Sequence, residues 1–400
     1  MLAWDLRLGD CREIMAGLER DSVDAIITDP PYGLEFMGKE WDHGVPGIPF
    51  WRDALRVAKP GTHLLAFGGT RTFHRLACAL EDAGWEIRDT VMWVYGSGFP
   101  KSLDVSKAID KAAGAEREVI GQSPNWRPAK TNGGAGFDAA VGSGPATMNI
   151  SVPATEAARQ WEGWGTALKP AWEPILVCRK PLEGTVAENV QRYGTGALNI
   201  DGCRVETVDN LNGGAYAKEG TARHDGAENW RYKRDGGAGA YEQPAGRWPA
   251  NLIHDGSQGV LALFPDTGKS TGGRVANISK TSQIYGGGKG LGQDSAPEDV
   301  RGDPGYGDSG SAARFFYCAK ASKSEREGGN DHPTVKPIAL MRYLCKLVTP
   351  PGGLVLDPFA GSGSTGLAAE QEGFRFLGIE LDAHYCEIAR ARREVGQTWK

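Results

Sequence analysis

Residues 28–33 read TDPPYG: a carboxylate, two imino acids and an aromatic ring at the end of VDAIIT, which reads as a buried strand. Each proline fixes φ near −65° and removes a backbone donor, and Pro31 also restrains Pro30. The groups left at this corner are acceptors, the Asp29 carboxylate and the Pro30 carbonyl, with the flat face of Tyr32 exposed beside them. Such a set suits the amino group of a heteroaromatic ring such as adenine, which has two N–H donors and a delocalised lone pair. Rigid acceptors that take both hydrogens favour a pyramidal nitrogen and free its lone pair to attack a methyl cation donor. Preorganised acceptors also stabilise the charge that develops there. Tyr32 would stack on a base swung out of its duplex. A strand closed by prolines and capped by Asp29 is the other use of these residues.

A second constellation, LVLDPFAGSGSTG, places Gly361, Gly363 and Gly366 in G-x-G-x-x-G spacing between a strand and a helix. Glycines there let the backbone turn tightly and come close to a bound nucleoside. A plain tight turn is the alternative. Glu380 ends the next strand about 20 residues on, where a ribose diol would sit. Asp357 precedes the glycines, and its charge would oppose a pyrophosphate but attract a sulfonium or ammonium. The expected ligand is therefore S-adenosylmethionine rather than a dinucleotide.

Elements of alternating type must carry these groups. SVDAIITD, THLLAFGG and WEIRDTVMWVY read as strands, FWRDALRVA and TRTFHRLACALEDAG as helices, with KPG stopping the first helix. IALMRYLCKLV, LVLDPF, STGLAAEQEG, FRFLGIEL and DAHYCEIARARREV repeat the pattern near the C-terminus. AWEPILVCRK adds a core strand that Pro174 assigns to an edge. The fold class is α/β, a doubly wound and mostly parallel sheet. Residues 1–180 form its first half, with a glycine-rich loop at about 121–165, and residues 312–400 form its second. The irregular stretch 181–311, with short strands such as GALNID and RWPANLIHD, is an insertion.

Composition narrows the class. The 400 residues are 40% hydrophobic and 24% charged, as in a globular protein, and no apolar run reaches membrane-spanning length. The seven scattered cysteines form no C-x-x-C pair, which argues against a zinc site or a disulfide framework and for a reducing cytoplasm. The N-terminal stretch has no signal-peptide pattern. A net charge of −5 leaves nucleic-acid binding to a local basic face. NWRYKRDGG offers one: Trp230 and Tyr232 could stack on bases, and Arg231, Lys233 and Arg234 could meet phosphate. A solvated charged loop is the other reading there. Lys269, Arg274, Lys280 and Lys289 among their glycines suit a loop ordered only on DNA, with an ordinary disordered linker as the alternative. ARARR (389–393) reads as the solvated face of a terminal helix.

Together these residues resemble the DNA amino-methyltransferases, which methylate adenine N6 or cytosine N4. DPPYG is similar to their catalytic motif, DPFAGSGSTG and GIELD to their cofactor motifs, HPTVKP to the segment before these, and LRLGDC to that before the catalytic motif. The catalytic motif comes first, as in the β class, with the insertion where that class keeps its target-recognition domain. The resemblance implies that Asp29, Pro30, Pro31 and Tyr32 hold the target base. It places Asp357, Pro358, Phe359, Gly361, Gly363 and Ser364 around S-adenosylmethionine. Glu380 and Leu381 would meet the ribose, Asp10 and Cys11 the adenine, and His332, Thr334 and Lys336 the methionine end, with Asp29 also near the cofactor. It implies direct transfer to duplex DNA without a metal, and Asp29 in the first motif position favours adenine N6 over cytosine N4. RNA or a protein amide is a more distant substrate, and a DNA-binding module with a dead site more distant still. A homodimer and a cognate restriction enzyme are the further partners the family suggests.

Overall fold

Every residue of VDAIIT, from Val23 to Thr28, is buried because both faces of the strand are covered, and its two polar members are paired, Asp24 with Lys59 and Thr28 with Asp357. The computed structural model describes residues 3–34, 44–98, 102–122, 149–207, 244–267, 309–319, 330, 332 and 335–397. Among these, one large sheet contains β1 (Trp4–Leu8), β2 (Val23–Thr28), β3 (Ala58–Phe67), β4 (Glu86–Val94), β5 (Trp172–Arg179), β6 (Leu252–His254), β7 (Tyr317–Cys318), β8 (Leu354–Asp357) and β9 (Arg375–Glu380). Their lateral order is β1-β9-β8-β2-β3-β5-β4-β6-β7. Neighbours run parallel except at β5, which is antiparallel to both β3 and β4.

Alternation along the strands builds a core on each face. Ile26, Leu64 and Ala66 pack with Met15, Trp51 and Leu80 from helices Cys11–Ala16, Ile48–Val57 and Phe73–Ala83. Ile27, Leu65 and Phe67 pack with Leu344, Ala368 and Ala389 from helices Ile338–Val348, Ser364–Gln371 and Ala383–Gln397. This is the doubly wound α/β architecture. None of the seven cysteines is disulfide-bonded. No helix among the described residues is long and apolar enough to cross a membrane.

Several elements differ from their sequence reading. β5 is interior rather than an edge. The Pro174 carbonyl accepts from Gly68 N at 2.9 Å, one residue past the end of β3, so the missing amide falls where that ladder has finished. Lys59-Pro60-Gly61 forms an irregularity inside β3 rather than a stop before it. GALNID forms no strand, whereas RWPANLIHD supplies β6 of the main sheet. Residues 149–165 of the expected loop contain strand Asn149–Ser151 and helix Glu156–Gln160. Of the three arginines of ARARR, Arg390 is exposed as expected, whereas Arg392 donates to Ser362 O at 2.5 Å and Arg393 binds Glu370 at 3.0 Å.

The chain divides into two compact units. One comprises 1–203, 250–260 and 317–400, and the other 204–249 and 261–316. The second unit is thus interrupted, and residues 181–203 belong to the first. Within the second unit, Val205–Glu206 pairs with Gly246–Arg247 and Asp266–Thr267 with Gly310–Ser311. The Arg247 and Arg314 guanidinium groups lie 4.5 and 4.4 Å from the centre of the Phe315 ring.

Candidate active site

The C-terminal ends of β2, β8 and β9 open into a cavity of about 900 Å³ in the first unit. Ligands of open α/β sheets bind at this end of the strands. All the described residues expected at the catalytic corner and cofactor site border it, apart from Gly363. Thr334 lies outside the described residues, as do Trp230, Arg231, Tyr232, Lys233, Arg234, Lys269, Arg274, Lys280 and Lys289.

The three glycines of the turn serve three purposes. Gly361 borders the cavity with φ +50°, and a Cβ there would stand 2.8 Å from His332 Nε2. Gly363, at φ +79°, faces away, where a Cβ would meet Ala389 at 2.9 Å, so it shapes the turn and does not line the cavity. A Cβ on Gly366 would lie 2.6 Å from the rings of Phe376 and Trp4, which sets how closely the helix approaches the sheet. Gly361→Ala should therefore lower cofactor affinity at least about tenfold. The left-handed backbone adds a stability loss of about 1–2 kcal/mol. Calorimetric titration and the thermal midpoint measure the two effects.

Carboxylates ring the cavity. Glu380 accepts from Gly361 N at 2.7 Å and Asp382 N at 2.9 Å, which aims it beside the turn, and burial raises its affinity for a proton. Asp10 caps helix Cys11–Ala16 by accepting from Arg12 N at 2.8 Å and Glu13 N at 3.2 Å. Burial, reinforced by the Asp10 charge, pushes the adjoining Cys11 thiol up to about 12, so it remains a neutral thiol. Phe359 packs 6.1 Å from Phe50, and His332 stands edge-on to Tyr385 at 4.5 Å.

Asp357 departs from its expected role. It accepts from Thr28 Oγ1 at 2.7 Å, Phe359 N at 3.1 Å and Thr365 Oγ1 at 2.5 Å. It thus ties the glycine turn to β2 instead of offering an open charge to a ligand. Burial pushes its carboxyl from 3.8 to about 6, with the Thr365, Thr28 and Phe359 donors offsetting only part of that rise. Because the folded chain holds this proton more tightly, stability is greatest below pH 3.8 for this group and falls as pH rises through 6. Asp357→Asn removes the titration. Between pH 4 and 7 its stability should gain about 2 kcal/mol relative to wild type, as read from urea midpoints.

The proline corner is not free of donors. Lys336 Nζ lies 2.6 Å from Asp29 Oδ2, 3.2 Å from Tyr32 Oη and 3.3 Å from Glu173 Oε2. Tyr32 Oη lies 2.8 Å from Asp29 Oδ1 and 3.1 Å from Glu173 Oε2, and its single proton serves one of them at a time. Burial, with the neighbouring Asp29 and Glu173 charges, keeps that hydroxyl protonated. Tyr32 is half-buried rather than exposed. Burial alone would lower the Lys336 ammonium, but Asp29 and Glu173 outweigh it and hold it above its ordinary value. The corner therefore carries two carboxylates and one ammonium.

A family model for DNA methylases matches residues 23–391. The chain belongs to the DNA methylase family. Eighty-six residues of this methylase-family chain are 36% identical to the type II methyltransferase M2.DpnII of Streptococcus pneumoniae, covering 22% of the chain and 32% of that protein. Sixty-five residues are 48% identical to YubD of Escherichia coli (strain K12), covering 16% of the chain and 29% of that protein. The chain thus spans about a third of the length of these curated relatives. Among solved structures, PvuII DNA methyltransferase (cytosine-N4-specific) is 13% identical with a TM-score of 0.43, covering 98% of the chain and 88% of that one. That likeness is too distant to bear on the site.

Glu173 is the site residue that the motifs of this methylase miss. Its signal is an acid at the entry of WEPILVCR, immediately before five buried positions. An ionised group there needs a partner. Lys336 provides it from 163 positions away, a pairing that no local pattern reports.

Proposed function

We propose that the protein transfers a methyl group from S-adenosylmethionine to adenine N6 in duplex DNA. One observation carries this reading: the acceptor corner at Asp29 and the glycine turn at Gly361 border the same cavity. The chemistry of the lining fits the cofactor. Among the described residues bordering the cavity, the carboxylates of Asp10, Asp29, Glu380 and Asp382 outnumber the Lys336 ammonium, an acidic surround that favours a cation and disfavours a pyrophosphate. Gly361 borders the cavity and lets the His332 ring lie against the turn, where a Cβ would press on it. Glu380 and Asp10 would hold the ribose and adenine, and Gly361 and Phe359 the turn side.

When bound, S-adenosylmethionine supplies an electrophilic methyl carbon. The chain's part is to present the nucleophile. The Asp29 carboxylate and the Pro30 carbonyl would accept the two N–H groups of the extruded base, and Tyr32 would lie along its face. Adenine and cytosine offer the same amine, and Asp29 in the first position of the corner favours adenine. The unit of 204–249 and 261–316 would read the DNA sequence, and the setting is the cytoplasm. Tritiated cofactor and unmethylated duplex plasmid, followed by nucleoside mass spectrometry, test the proposal. N6-methyladenine is expected. N4-methylcytosine alone would replace adenine by cytosine, and unlabelled DNA alongside measurable cofactor binding would overturn the reading.

A further inference from the structure

We infer that Glu173 is a positioning residue for methyl transfer, drawing the Lys336 ammonium off Asp29 as the target base enters. The inference rests on the methyl-transfer reading above. In the structure Lys336 occupies the place the base needs. Its Nζ sits 2.6 Å from Asp29 Oδ2, while Tyr32 Oη lies 2.8 Å from Asp29 Oδ1, so a donor stands at each oxygen of that carboxylate. An ammonium in this position mimics the N–H of the substrate amine. It also opposes the reaction, because the amine becomes positive as it is methylated and a cation beside its acceptor cancels the stabilisation.

Glu173 offers that ammonium another partner. Its Oε2 lies 3.3 Å from Lys336 Nζ, close enough that a small rotation of the flexible lysine stem exchanges the shorter contact for the longer. Glu173 is held ready by the Tyr95 hydroxyl at 3.3 Å, and the Tyr32 hydroxyl, 3.1 Å away, can turn its one proton from Asp29 to Glu173. The Phe67 ring, 4.9 Å from Nζ, supports the ammonium while it moves. Only 7% of the lysine side chain is exposed, so solvent cannot take over the role of the second carboxylate. Glu173 itself lies on β5, on the opposite side of β3 from β2 and Asp29. It can thus hold the ammonium without belonging to the corner that receives the base.

A plain counter-ion to Lys336 would have the same distances, and a double-mutant cycle separates the two roles. E173Q keeps the Lys336–Asp29 pair and therefore the fold, but leaves the ammonium on Asp29. At saturating cofactor, single-turnover transfer of tritiated methyl to unmethylated duplex plasmid should fall about 100-fold, with cofactor affinity within about threefold of wild type. E173D, which retains the charge, should recover part of the rate. E173Q/K336M removes the ammonium that Glu173 is needed to move, and should be at least about tenfold faster than E173Q. A double variant no faster than E173Q, or an E173Q rate equal to wild type, would overturn the inference. Wild-type protein that binds cofactor yet transfers nothing to DNA would instead overturn the functional reading beneath it.

Discussion

Replacing Asp29 with alanine will slow methyl transfer at least about a thousandfold while leaving cofactor affinity within about threefold of wild type. The asymmetry follows from what the carboxylate touches. Asp29 Oδ1 meets Tyr32 and Oδ2 meets Lys336, so the substitution removes the acceptor aimed at the base. The cofactor side, Gly361 bonded to Glu380, stays intact. Lys336 keeps Glu173 as a partner, so the variant should fold. Asp29→Asn should fall between the two, since its amide retains one acceptor oxygen but brings donors toward the ammonium. Initial rates with tritiated cofactor, paired with calorimetric titration, measure both quantities. A variant with wild-type rates would remove Asp29 from the chemistry.

Lys336→Met should cost about 3–5 kcal/mol of folding stability, the largest loss expected from a single side chain at this site. The methionine matches the lysine stem in bulk, so the loss is electrostatic. Asp29 and Glu173 are left facing one another in a setting where the lysine side chain is 7% exposed. The two carboxylates hold the ammonium charged above its ordinary 10.5, so its contribution is fully present below that value and fades only as pH rises through the higher folded one. Urea midpoints at neutral pH measure the effect, and E173Q/K336M should regain part of it by removing one of the stranded charges. A midpoint unchanged in Lys336→Met would show that the two acids tolerate each other without it.

Much of this fold was legible because it is locally determined. The mostly apolar β2, with Val23, Ala25, Ile26 and Ile27, marks a strand covered on both faces, and helix Ile338–Val348 coincides with its apolar repeat. The turn at Gly361 announces itself through glycines whose backbone no other residue adopts easily. Elements of two or three residues were harder to read: RWPANLIHD was expected as a short strand, but its place in the main sheet and the strand Tyr317–Cys318 were not. β6 and β7 are too short to show a period, and they join the main sheet only because β4 offers an edge to β6 and β6 in turn offers one to β7. The interior position of β5 was hidden as well. Pro174 reports a missing donor but not that the neighbouring strand stops at Phe67.

The amino-acid order alone determined which groups are available and how stiffly they are held: an acid locked between a strand and two prolines, glycines where a helix begins, another acid closing the following strand. Only the tertiary structure decided which of those groups meet. It set Lys336 against Asp29, turned Asp357 onto Thr28 and Thr365, and brought in Glu173. Stiffness comes from bonds between neighbours along the chain, whereas charges and hydrogen bonds act across about 3 Å of space, and distances between remote strands exist only once the sheet has formed.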